Sequence, residues 1–209
     1  MNIFKSTKGH SKYWRERKAD WDKNYTQTYS HPHRYLILQV LASIKWLSLI
    51  EVGCNSAPNL INIVKQFPGC QIGGVDVNPE AIALAEKTFH GGLFKVNSGD
   101  DIMLSDKACD VILYDACLIY VSPLKIKKYL EEAKRIGRSY IVMCEFNSKS
   151  WWDRFKVKFK SGYNVYDYKK LLTKYGFYDY YAYKLKPEDW PGGGYWEKYG
   201  SIIVARIPK

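Results

Sequence analysis

Short apolar runs alternate with segments of helical periodicity along most of the chain. The runs at 48–53, 71–77, 93–97, 109–115 and 139–145 have the length and near-continuous apolar character of strands covered on both faces. Between them, residues 58–67, 80–88 and 122–136 predict helices. Pro58 and Pro79 suit a first helical turn, Asn78 suits an N-cap, and Pro68, Gly69, Gly91, Gly92 and Gly137 supply the stops. A helix over 33–46, apolar on most of its circumference, precedes the first strand. Strict alternation of strand and helix implies a parallel sheet with right-handed crossovers. The last third differs. Residues 167–175 predict a helix ended by Gly176, and 177–185 and 201–207 predict an antiparallel strand pair joined by the Gly- and Pro-rich stretch 186–200.

The pattern divides the chain into a polar, aromatic and basic N-terminal extension, 1–34, and one domain, 35–209. The extension predicts a short helical lid over 13–21 with Trp14, Lys18 and Trp21 on one face, then irregular chain over 25–33. Neither repeats nor a linker divide the remainder.

Composition is that of a soluble globular domain, with 46% hydrophobic and 25% charged residues. The first 25 residues are charged and lack the apolar core of a secretory signal. The longest apolar run, 111–121, holds Asp115 and is too short to span a bilayer, so neither a membrane segment nor a membrane partner is expected. The five cysteines show no paired spacing and no histidines at zinc distance, which predicts no metal and buried thiols in a reducing cytoplasm. The net charge of +11 favours anionic partners, nucleic acid among them.

The chemistry collects at strand ends. Glu51 closes the first strand and is followed by the turn Gly53-Cys54-Asn55-Ser56-Ala57. Asp76, with Val77 after it, closes the second; Asp100 and Asp101 sit in the turn after the third; Asp115 closes the fourth. All of them fall at the carboxyl edge of a parallel sheet, where open α/β folds bind ligands.

Five strand–helix units followed by a helix and an antiparallel pair, with acids at these positions, resemble the class I S-adenosylmethionine-dependent methyltransferases. The resemblance covers roughly residues 33–207. It implies a doubly wound, mostly parallel seven-stranded α/β sheet with an antiparallel C-terminal hairpin and helices on both faces. It also implies S-adenosylmethionine as cofactor. Glu51, and Asp115 with it, would lie near the cationic methionine end. Asp76 and Val77 would hold the ribose and its neighbourhood. Asp100 would take the adenine amine, with the backbone of Asp101 or Ile102 at the ring nitrogen. The family's three turn glycines correspond here to Gly53, Asn55 and Ala57. Asn is the best substitute where φ is positive, and Ala is small enough for close helix packing. A pyrophosphate-binding turn would need the missing glycines, which argues against a nicotinamide cofactor.

The acceptor is less legible. Asp115 is not followed by the Pro-Pro-aromatic of base-amine methylases, nor is there a Pro-Cys pair for cytosine C5 chemistry. The chain resembles the small-molecule branch, in which Tyr120 or Leu118 would border the acceptor. His31 and His33 are candidates for a general base, or are surface or capping residues; Tyr120 is a second candidate. Tyr13, Trp14 and Tyr29 are candidates for a lid, Trp14 equally for core packing. Trp190 and Trp196 on the Gly-rich loop are candidates for the acceptor pocket. A small or medium-sized acceptor is therefore expected. The tyrosines and lysines of the C-terminal third, with the net charge, keep open an RNA-directed methyltransferase, and the altered turn a non-catalytic member binding the cofactor or a nucleotide.

Overall fold

The computed structural model describes residues 7–21, 23 and 29–209, with side chains from Lys12 onward. Seven strands form one sheet in the order β3-β2-β1-β4-β5-β7-β6. They are β1 (Ser48–Val52), β2 (Gln71–Asp76), β3 (Leu93–Val96), β4 (Cys109–Asp115), β5 (Gly137–Phe146), β6 (Tyr178–Lys184) and β7 (Gly200–Arg206). Pairs β1–β2, β1–β4, β2–β3 and β4–β5 are parallel. Strand β7 runs antiparallel between β5 and β6. The architecture is the doubly wound, mostly parallel sheet with an antiparallel C-terminal pair that the sequence predicts.

Helices α1 (Thr7–Glu16), α2 (Pro32–Ala42), α3 (Pro58–Gln66), α4 (Pro79–Thr88), α5 (Ile126–Ile136), α6 (Trp151–Ser161), α7 (Tyr168–Lys174) and α8 (Tyr195–Tyr199) surround it. Ile37 and Leu41 of α2, Leu60 and Ile63 of α3, and Ile82 and Ala85 of α4 pack in one cluster with Leu49, Val111 and Leu113. Ile126, Leu130, Ala133 and Ile136 of α5 and Leu172 of α7 pack in the other with Ile50, Ile112 and Ile141. Successive strand residues point to opposite faces, so each parallel strand feeds both clusters, and its sequence reads as an unbroken apolar run.

Several expectations shift. The N-terminal helix occupies Thr7–Glu16 and ends before Lys18, so Trp14, Lys18 and Trp21 do not share one helical face. The irregular stretch expected over 25–33 lies outside the described residues for 25–28, and from Pro32 onward the chain is helical. The helix expected from residue 122 begins at Ile126, because the first residues after Tyr120 form a turn in which Ser122 accepts from Lys125 and Ile126. Helix α6 has no counterpart among the predicted helices, and the loop 186–200 carries the short α8. Helix α6 buries only Val157, so it packs on the core through a single residue.

The strand order reverses between β1 and β4, opening a crevice at their carboxyl ends. Glu51 and Asp115 come from those two strands, and Asp76 from the next one out.

Candidate active site

A cavity of about 960 Å³ lies at this edge. That is at the upper end of the range for small-molecule sites, roughly 300–1,000 Å³. Glu51, Gly53, Asn55, Asp76, Val77 and Asp115 all line it, as do His31, Trp14, Tyr120 and Trp190.

The turn after β1 forms the floor. Gly53, Asn55 and Ala57 have φ of 79°, 54° and 62°, so the chain enters the left-handed region at alternate residues. Only glycine does this without cost; Asn is tolerated, and Ala is strained by about 1–2 kcal/mol. Asn55 is held by its own backbone, whose N–H donates to Asp76 Oδ2 at 2.9 Å, and by its side-chain oxygen, which accepts from Ser56 N at 2.6 Å. A Cβ on Gly53 would stand 2.5 Å from Cys117 Sγ, so glycine is required there on two counts.

Five polar side chains sit beneath the turn. Asn59, in the first turn of α3, donates from Nδ2 to Glu51 Oε1 (2.6 Å) and to Asp115 Oδ2 (2.9 Å). Its Oδ1 accepts from Arg34 Nη1. Arg34 Nη1 also donates to Asp115 Oδ2 at 3.1 Å, and His33 Nε2 donates to the same oxygen at 2.9 Å. Burial alone would push the Asp115 carboxyl up, but His33, Arg34 and Asn59 together hold it far below the usual carboxylate range. Asp115 is thus ionised and occupied by these neighbours. Glu51 differs. Its Oε2 is buried and without a hydrogen-bond partner among the described residues, and burial raises its carboxyl to about 8 despite the Asn59 bond. A buried acceptor that lines a cavity and lacks a donor is suited to a ligand ammonium.

Asp76 is buried enough for its carboxyl to be raised, although it accepts from Asn78 N (2.9 Å) and Asn55 N. Asp100, Asp101 and Ile102 do not line the cavity. Asp100 accepts from Ser98 Oγ and pairs with Lys125 Nζ at 3.0 Å, Asp101 is exposed, and Ile102 N–H is donated to Glu132 Oε2 at 2.8 Å. The wall at that point comes from Asn97, Gly99, Lys125 and Tyr129 instead. Asn97 Oδ1 is buried there with no partner among the described residues.

On the opposite side, Glu145 of β5 accepts from Cys117 N (2.8 Å), Leu118 N (2.8 Å) and Ile119 N (3.1 Å), fixing a 3₁₀ turn, Leu118–Tyr120, after β4. That turn presents Tyr120, whose phenol is pushed up by burial and is not a base near neutral pH. Tyr120 packs edge-on to Trp14 at 5.2 Å and to Tyr163 at 5.5 Å. Trp14 is held by Asn78, whose Nδ2 donates to the carbonyls of Trp14 (2.8 Å) and Arg17 (2.9 Å) while its Oδ1 caps α4. Tyr13 and Tyr29 are exposed and do not line the cavity. Trp190 lies over His33 and His31 at 4.2 and 4.6 Å, and Trp196 stacks behind it at 3.9 Å without reaching the cavity.

His31 Nδ1 and His33 Nδ1 are 2.6 Å apart. His33 Nε2 donates to Asp115, and a single hydrogen bridges the two Nδ1 atoms, which leaves His31 Nε2 facing the cavity side of the pair. Burial first, then His33 and Arg34, lower His31 to about 4, so the ring is uncharged at neutral pH. His33, Asp115 and Cys144 offer ligand atoms within 4.8 Å of one another. The Arg34 guanidinium already neutralises that carboxylate and would repel an added cation.

Arg34, Asn59, Asn97 and Glu145 are the site residues that the sequence reading did not place, and it named His33 without its bond to Asp115. Asn59 left a signal, a polar residue on the otherwise apolar face of α3 beside Leu60 and Ile63. Arg34 left none, as one cation among 32.

Comparison with known proteins agrees with this geometry. Residues 49–139 match the family model described as "Methyltransferase domain". Carboxy-S-adenosyl-L-methionine synthase 1 from Yersinia pseudotuberculosis is 26% identical over 133 residues, 55% of each chain. The chain thus spans about half the length of the curated relatives it matches. Among solved structures, a geranyl diphosphate methyltransferase in complex with geranyl diphosphate and sinefungin superposes with a TM-score of 0.71 at 12% identity, over 97% of this chain and 99% of that one. An S-adenosylmethionine-dependent methyltransferase from Methanosarcina mazei gives 0.61 at 18%, over 80% and 96%. Sinefungin is an analogue of S-adenosylmethionine, the cofactor this fold implies. Residues 49–139 are thus similar to a methyltransferase domain, and the fold is that of S-adenosylmethionine-dependent methyltransferases of known structure.

Proposed function

We propose that the protein transfers the methyl group of S-adenosylmethionine to a small or medium-sized acceptor. The observation that carries the reading is the buried Glu51 Oε2, without a hydrogen-bond partner among the described residues, in a cavity that Asp76 also lines. A cation and a ribose separated by a short chain would satisfy both. Glu51 is assigned to the methionine ammonium, Asp76 to the ribose hydroxyls, and Asn97 Oδ1, in place of Asp100, to the adenine amine. Asp115 anchors Asn59, Arg34 and His33 and so holds the Glu51 carboxylate in place.

Bound cofactor supplies an electrophilic methyl on a sulfonium. The chain's part is alignment and exclusion of water, which suffices when the acceptor is already nucleophilic. Trp14, Tyr120 and Trp190 wall the cavity with aromatic surface, and His31, uncharged, can accept a hydrogen bond from an acceptor hydroxyl or amine. A proton gained by His31 would sit beside His33 and Arg34, so His31 orients an acceptor better than it ionises one.

Incubation with methyl-labelled S-adenosylmethionine and separate pools of small metabolites and RNA tests the reading. Label in the small-molecule pool, lost in Asp76→Ala, is expected. Label confined to RNA would transfer the assignment to an RNA-directed enzyme. A modified S-adenosylmethionine with no methylated product would point to chemistry on the cofactor itself, as the name of the Yersinia relatives suggests.

A further inference from the structure

Helix α6 (Trp151–Ser161) is built to stand on its own. Ser150 caps its N-terminus through Asp153 N at 3.2 Å, and Gly162, at φ 77°, ends it. Val157 packs with Ile119, Phe146, Val165 and Tyr199, and Asp153 accepts from Tyr199 Oη and pairs with Lys198. These contacts fix one face. At 3.6 residues per turn, Trp151, Trp152, Phe155 and Phe159 fall within an arc of about 100° centred on the opposite face. Their exposures are 57, 54, 57 and 59%. Trp151 and Trp152 stack at 4.0 Å and Phe155 and Phe159 at 6.2 Å, forming a continuous aromatic ridge with no polar side chain within it. Exposed Lys149 and Lys156 lie along its border, and exposed Lys160 lies further round the helix toward the packed face.

Four large aromatics held in water are costly and mark a contact surface. We propose that α6 seats the protein on an anionic lipid bilayer, with the ridge in the headgroup–acyl boundary and the bordering lysines on lipid phosphates. Trp and Phe on one face flanked by Lys is the composition of a helix lying in a membrane interface, and lysine stems lie along apolar surface while their ammonium groups stay in the polar layer. The +11 charge adds long-range attraction to an anionic leaflet. None of the four aromatics lines the cavity at the sheet edge, and among the described residues their ring contacts are only with one another. That suits a flat bilayer and not a single strand of nucleic acid, which is gripped in a groove. This is attachment to one leaflet; no helix of the described residues is long and apolar enough to cross a membrane. Because α6 follows the carboxyl end of β5, attachment would bring the cavity edge of the sheet near the lipid.

The test is co-sedimentation of the full chain with vesicles of phosphatidylcholine alone and of phosphatidylcholine with 30% phosphatidylserine, read with tryptophan emission. Binding to the anionic vesicles with a blue shift, weakened at high salt, is expected. Each of Phe155→Ser and Phe159→Ser should reduce it roughly tenfold, as loss of one buried aromatic implies. Lys156→Glu with Lys160→Glu should abolish the preference for phosphatidylserine. The substituted residues are exposed, and an unchanged melting temperature would confirm that each variant folds. No binding to either vesicle, or binding unaltered by the four substitutions, overturns the proposal. So does a concentration-dependent dimer, or RNA binding, that Phe155→Ser removes, since the ridge would then belong to that partner.

Discussion

Glu51 is the most informative single residue. Its folded-state carboxyl is raised to about 8, so in the free protein its contribution to stability is fully present below its unfolded value and is lost as pH rises through 8. A ligand ammonium beside Oε2 reverses the preference and favours the carboxylate. Binding of S-adenosylhomocysteine should therefore release a proton, and its affinity should rise between about pH 6 and 8 by up to roughly tenfold per unit. Calorimetry in buffers of differing ionisation enthalpy measures both, and Glu51→Gln should make the profile flat. His31, lowered to about 4, should add no inflection in that range. Asn59 is the other key residue. Asn59→Leu removes donors from two buried carboxylates and an acceptor from Arg34, and should cost about 3 kcal/mol, visible as a fall in the urea midpoint. Glu51 and Asp76 were legible because a strand's end is visible as the end of an apolar run. The roles of Arg34 and His33 depend on α2 crossing the carboxyl end of β4, a long-range contact that no local pattern encodes.

At the scale of elements, the turn after β1 and the turn after β4 shape the cavity together. Gly53→Ala meets both an unfavourable φ and the Cys117 side chain, and should destabilise by about 3 kcal/mol or more while abolishing cofactor binding. Glu145→Ala leaves the N–H groups of Cys117, Leu118 and Ile119 unsatisfied and should cost about 3 kcal/mol, lowering the melting temperature by roughly 6–12 °C. Strands and helices whose apolar residues face the core could be read from periodicity, and so could Asn55 as a left-handed substitute for glycine. Ala57 in the same conformation could not, since its propensity argues against it and only the packing of α3 holds it there. Helix α6 does carry Trp151, Phe155 and Phe159 at helical spacing, a signal the sequence reading did not use. Asp100 does not line the cavity, because β3 ends at Val96, which puts Asn97 at the sheet edge, and Asp100 pairs with Lys125.

For the whole molecule, the order β3-β2-β1-β4-β5-β7-β6 places three acids from adjacent strands on one edge, and the N-terminal segment closes over them through Asn78. The same topology serves many activities, so the account stands or falls on the ligand and not on the fold. Titration calorimetry of S-adenosylhomocysteine into the wild type and Asp76→Ala is the direct test. The account predicts one site per chain in the wild type and at least a tenfold loss in the variant, as expected when a carboxylate that accepts two ribose hydroxyls is removed. No heat with the wild type, or equal affinity in Asp76→Ala, would contradict it.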